Sequence, residues 1–81
     1  MKRSIHFCVV CGFDGLKEAP YDAAGLPSYE ICPCCGFEFG FDGKEDVAQF
    51  RENWVRAGAL WFTPGSKPVN WDLQQQLANL K

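Results

Sequence analysis

Two units of the form Cys-x-x-Cys-Gly-Phe-acid stand in this sequence, Cys8-Val9-Val10-Cys11-Gly12-Phe13-Asp14 and Cys32-Pro33-Cys34-Cys35-Gly36-Phe37-Glu38. Four of their thiols, Cys8, Cys11, Cys32 and Cys35, follow the order C-x2-C-x20-C-x2-C, which lies inside the spacing of four-cysteine zinc sites. A two-residue gap lets a tight turn aim both sulfurs at one ion while backbone N–H groups point back at them. Those N–H groups offset the negative charge of four thiolates around a divalent cation. Gly12 and Gly36 each follow the second cysteine of a pair, where positive φ is often required and glycine adopts it without steric cost. The expected ion is Zn²⁺, with Fe as the alternative, because both accept tetrahedral sulfur sites.

Four protein ligands close such an ion to water and substrate. Its contribution is then folding free energy, on the order of 10 kcal/mol for structural zinc at neutral pH. The remaining chemistry-bearing residues have plainer readings. Cys34 lies between two ligands and reads as a small filler of the turn, because neighbouring thiolates raise rather than lower a thiol's pKa. A reactive, oxidant-sensing thiol is the competing reading. His6 reads as a solvent-facing histidine, since four cysteines already satisfy the ion. Asp14, Glu38 and Asp42 are not paired by any spacing that would make a catalytic couple. Trp54, Trp61, Phe62 and Trp71 could stack on nucleobases, but core packing is the expectation in a domain with few other large side chains.

Several elements must position this site. Ser4 to Phe7 and Ser28 to Ile31 read as short strands leading into the two knuckles. Phe37, Phe39 and Phe41 alternate with Glu38, Gly40 and Asp42 at the period of a half-buried strand. Asp42 and Glu45 have the spacing of a capping box, which predicts a helix from about Gly43 to Ala57. Its buried stripe is Val47, Phe50, Trp54 and Ala57; Arg51 falls on the wet side, and Gly58 follows as the terminator. Pro64 and Pro68 mark a loop. A second helix follows, capped by Asn70, with Leu73, Leu77 and Leu80 as its stripe. It is too short to stand alone in water, so it must dock on its own chain or on another.

The totals agree with a metal-stapled domain. The chain has 81 residues, five cysteines and 15% aromatic residues. A core of that size is marginal without a metal or disulfides. With 47% hydrophobic residues the chain is not a disordered one. No apolar run reaches membrane-spanning length, and the N-terminal stretch does not have the form of a signal peptide. The cytosol is therefore the expected compartment, where paired cysteines are read as metal ligands before disulfides. The formal charge is −2, and a four-thiolate site holding a divalent ion takes it to about −4. Such a chain is a poor nonspecific binder of nucleic acid.

The run Tyr29-Glu30-Ile31-Cys32-Pro33-Cys34-Cys35-Gly36 resembles the cysteine-rich CPCC family of small bacterial zinc-ribbon-like proteins. The likeness extends from Phe7 to Asp42, about half the chain. That family tends to carry Cys-Pro-Cys-Cys in the first knuckle, where this chain has Cys8-Val9-Val10-Cys11. The resemblance implies zinc and a small soluble protein, and no reaction. The two knuckles are also similar to those of rubredoxin, an iron protein carrying one electron. That resemblance would make the same four cysteines iron ligands, with Phe7, Phe13 and Phe37 around them.

The expected fold is a small α+β domain over residues 1–81: a zinc ribbon with rubredoxin-like knuckles and short antiparallel hairpins, followed by two helices. Residues 1–42 form the metal ribbon, and residues 43–81 a helical extension packed on it. The expected function is a non-enzymatic, zinc-stabilised interaction module, meeting a protein partner through the C-terminal helix. A rubredoxin-like electron carrier is the alternative. A nucleic-acid-binding ribbon is the second alternative, and it would need Lys2, Arg3, Lys44, Arg51 and Arg56 to gather on one face.

Overall fold

The computed structural model describes residues 5–80. Its regular elements all follow the second knuckle. A 3-10 turn, Lys44–Asp46, leads directly into helix α1, Val47–Arg56; a second 3-10 turn, Pro64–Ser66, precedes helix α2, Leu73–Leu77. A last 3-10 turn, Ala78–Leu80, continues α2. Ser4, Lys2 and Arg3 lie outside the described residues, so the start of the first expected strand and two of the five basic residues fall there.

Helix α1 turns three of the four expected stripe residues inward; the fourth, Ala57, is the C-cap and is exposed. Trp54 is buried, and Val47 and Phe50 pack against the core. The helix ends in a Schellman motif. Gly58, with φ of 110°, donates its N–H to the Val55 carbonyl, and Ala59 donates to that of Trp54. The Trp54 indole N–H then reaches forward to the Leu60 carbonyl at 2.8 Å and fixes the exit strand of chain. That path places Trp61 in the core.

The expected Asp42–Glu45 capping box does not form. Asp42 Oδ2 instead accepts the Glu38 N–H at 2.9 Å and closes the turn after the second knuckle, while Gly43 occupies the cap position of the 3-10 turn. Helix α2 likewise begins later than expected. Its cap is Asp72, extended at φ −130° and ψ 118°, whose Oδ1 accepts the Gln75 N–H at 3.0 Å; Asn70 is not the cap.

Among the described residues no strand forms, and the expected hairpins reduce to isolated bridges. His6 pairs with Leu16, Tyr21 with Pro27, and Ile31 with Glu38. The physical reason lies in the backbone. Tyr29 has φ of 65° and Gly40 has φ of 109°, so the segments on both sides of the second knuckle leave the extended region after a residue or two. The turn at Gly40 also breaks the expected Phe37, Phe39, Phe41 face. Phe37 and Phe39 are fully buried, whereas Phe41 is 81% exposed.

Aromatic rings surround the cysteines on two sides. Phe37 meets Phe50 edge-to-face at 5.0 Å and Phe39 at 5.2 Å, and Tyr21 closes that side against Phe39 at 5.8 Å. On the other side Trp61 contacts Phe13 at 5.5 Å and Trp71 at 5.6 Å, and Trp71 extends the row to Trp54 at 6.5 Å. Such pairs contribute about 1 kcal/mol each beyond the area they bury. The tryptophans are therefore packing residues, as expected; Phe62 only rests one side of its ring on Gly36 and is otherwise largely in solvent.

Candidate metal centre

The two knuckles are built alike. In the first, Cys8 N–H donates to the Phe13 carbonyl at 2.7 Å and Gly12 N–H to the Cys8 carbonyl at 2.9 Å. In the second, Cys32 N–H donates to Phe37 at 3.0 Å and Gly36 N–H to Cys32 at 2.8 Å. Gly12 and Gly36 have φ of 86° and 84°, the left-handed region that closes each turn and that glycine enters without strain. The Val10 N–H also points at Cys8 Sγ, 3.4 Å away.

The knuckles face each other, and the sulfurs of Cys8, Cys11, Cys32 and Cys35 all lie within 4.8 Å of one another. Across the two knuckles Cys8 and Cys35 are 3.8 Å apart, and Cys11 and Cys32 are 3.7 Å apart. A tetrahedron with metal–sulfur bonds of about 2.3 Å has sulfur–sulfur edges of about 3.8 Å. A disulfide needs about 2.05 Å, and all five cysteines are free thiols. The four cysteines predicted from the sequence are thus brought together with a geometry that could hold one metal ion. Three are fully buried and Cys35 is 7% exposed.

The electrostatics of the cluster ask for a cation. Hydrogen bonds from Cys11, Cys32 and Cys35 hold the Cys8 thiol below its ordinary range, and those from Cys11 and Cys35 do the same for Cys32. Cys11 is pushed up by its sharing with Cys32 first and then by Cys34, Cys35 and Cys8. Cys35 is pulled down by Cys11, but Cys32, Cys8 and burial outweigh that and push it up. Without a cation, protons therefore stay on part of the cluster.

The rest of the chain closes over both knuckles. The Arg51 guanidinium on α1 forks onto the first knuckle, Nε to the Val10 carbonyl at 2.6 Å and Nη2 to Val9 at 2.9 Å. Gln76 Nε2 on α2 donates to the Cys11 carbonyl at 3.1 Å, and Asn79 Nδ2 in the following 3-10 turn to that of Gly12 at 2.9 Å. On the second knuckle, the backbone N–H groups of Phe62 and Thr63 donate to the Cys34 and Pro33 carbonyls at 2.9 and 2.8 Å. Cys34 is fully buried beside the cluster and outside the four-sulfur set, and its sulfur accepts Gln76 Nε2 at 3.3 Å; hydrogen bonding with Cys11 and then Gln76 outweighs burial and lowers its pKa, against the expected rise. His6 is half-buried at its bridge and takes no part in the cluster; Asp14 and Glu38 stand apart from it.

Arg51, Gln76 and Asn79 are the supporting residues that sequence reasoning missed. Arg51 lies off the apolar stripe of α1 and reads as a solvated charge, because nothing local betrays a partner forty residues away. Gln76 had a usable signal. It stands three residues after Leu73 and one before Leu77, on the inner side of a helix that must dock somewhere.

Two proteins of Bacillus subtilis (strain 168), both described as uncharacterised, are similar to this chain. YoaQ is 42% identical over an alignment of 85 positions, gaps included, and the match covers 84% of this chain and 72% of YoaQ. YozI is 37% identical over an alignment of 82 positions, and that match covers 79% of this chain and 68% of YozI. The chain belongs to the family of these two proteins. No family profile matches it, and no solved structure matches it.

Proposed function

We propose that this chain is a non-enzymatic protein held together by one structural zinc ion and that it serves as a protein-interaction module. The enclosure of the four sulfurs carries this reading. They stand at tetrahedral spacing, out of solvent, under knuckles whose carbonyls are taken by α1, α2 and the 62–63 backbone. An ion with four thiolates has no position left for water or substrate, so its work is to fold the chain. A zinc ribbon of CPCC type is the description these features support, with residues 1–81 as one domain. The metal half is 1–42 and the helical half 43–81. The cytosol, where thiols stay reduced, is the setting that suits it.

A rubredoxin-like one-electron carrier is the second reading. The Val10 N–H aimed at Cys8 Sγ suits iron as well as zinc, because hydrogen bonds to sulfur also tune the potential of iron on thiolates. A nucleic-acid interface gains less support. Arg51 is held by the first knuckle, Lys44 lies over the Tyr21 ring at 4.5 Å, and Arg56 pairs with Glu52 at 3.3 Å. Elemental analysis and the visible spectrum of protein isolated from its own cells decide between the metals. A colourless protein with one zinc per chain supports the structural reading. A red protein that bleaches reversibly on reduction supports the iron reading.

A further inference from the structure

A cleft of about 320 Å³ opens between the first knuckle and α2. Phe13, Trp61 and Trp71 supply its aromatic walls, and the carboxylates of Asp14 and Asp72 stand at its edge. No lysine or arginine lines it. Neither carboxylate has an ion-pair partner among the described residues. Trp71 already attracts a cation within the chain, since Lys67 Nζ lies over its ring at 5.3 Å.

We propose that this cleft binds an arginine side chain of a partner protein, an inference that rests on the interaction-module reading and names the chemistry of the partner. Aromatic faces draw cations through their quadrupole, and arginine is preferred over lysine there because its planar, weakly hydrated guanidinium stacks on indole while its N–H fork meets carboxylates. The volume lies at the low end for ligand pockets and suits one long side chain rather than a nucleotide. The negative balance of the whole chain adds attraction for a basic segment. The cleft lies beside the contact that Gln76 and Asn79 make with the first knuckle, while Leu73 and Leu77 pack against the core, so the helix can dock on its own chain and present the cleft together.

The test is a titration of the full, zinc-loaded chain, its zinc content verified, with acetyl-Gly-Arg-Gly-amide, followed by NMR of the tryptophan indole N–H signals. Saturable shifts of Trp61 and Trp71 are expected. The same peptide with citrulline, the neutral isostere, binds about tenfold or more weakly. The double variant Asp14→Asn, Asp72→Asn weakens binding by a similar factor, and because asparagine also caps helices, α2 survives the change. Argininamide alone binds more weakly than the peptide. No saturable shift, or equal binding of the citrulline peptide, overturns the proposal. Equal affinity for argininamide also overturns it, since the site would then serve a small cation and not a protein. Each of these failures occurs in folded, zinc-bound protein and so leaves the structural-zinc reading standing.

Discussion

The backbone carbonyl of Gln76 occupies the position that a Cβ on Gly12 would take. Helix α2 is therefore seated directly on the turn that carries Cys11. The second knuckle has a parallel arrangement, in which the Phe62 ring lies 2.8 Å from a Cβ placed on Gly36. In both knuckles the glycine makes the turn possible and also lets the rest of the chain close over it.

Gly12→Ala should consequently displace α2 as well as strain the turn. The positive φ costs about 1–2 kcal/mol for a non-glycine residue, and the clash with a packed helix adds about 1–3 kcal/mol. Gly58→Ala is the internal control. It has φ of 110° but open space around its Cβ position, so it bears the backbone cost alone. Thermal unfolding of the metal-loaded variants checks this, with Gly12→Ala expected to be the less stable of the two. Equal losses would mean that α2 is not held against the knuckle.

Gln76 predicts a charge effect on metal retention. Its amide donates both to the Cys11 carbonyl and to Cys34 Sγ, and its Oε1 accepts the Trp71 indole N–H at 2.7 Å. Gln76→Glu keeps the shape, removes the donor and sets a carboxylate beside the sulfurs. Loss of such supporting contacts typically weakens metal affinity about 10–100-fold. Competition with a chromogenic chelator should show Gln76→Glu losing metal faster than Gln76→Ala, because the alanine variant lacks the repulsion. The reverse order would contradict this account of α2.

Metal uptake should release protons. Cys11 and Cys35 are held above the ordinary thiol range without a cation, and both must become thiolates to bind one. The sign for stability follows. The bound ion lowers the thiol pKa values of the folded state below the unfolded value of about 8.5. Its stabilisation is complete above that value and disappears as pH falls through the lowered ones. Calorimetry at neutral pH in buffers of different ionisation enthalpy should show heats that change with the buffer, consistent with about two or more protons released. Buffer-independent heats would contradict it.

The cysteine cluster was legible because each half of it is local: each pair and its glycine make a turn specified by a few consecutive residues. Helix α1 was legible from the spacing of Val47, Phe50 and Trp54, which a single amphipathic face explains. The strands were not. Alternation around Phe39 has the right period, but Gly40 and Tyr29 adopt positive φ, and two residues suffice to undo a short extended segment. The caps shifted for a similar reason. Asp42 has a nearer donor in Glu38 than in the helix it precedes, and Asp72 stands closer than Asn70 to the free N–H groups of α2. The closure of the site over the knuckles depends on Arg51, Gln76 and Asn79, whose partners lie far off in sequence, so it emerges only from the folded chain.

The central claim is that one ion on Cys8, Cys11, Cys32 and Cys35 holds this fold together. Its most direct test is native mass spectrometry paired with far-ultraviolet circular dichroism, before and after exhaustive chelation under reducing conditions. One divalent metal per chain is expected, lost on chelation together with the native spectrum, and both restored on adding the ion back. A chain that keeps its native spectrum with no metal bound, or that arrives from its own cells with these thiols joined as disulfides, would contradict it.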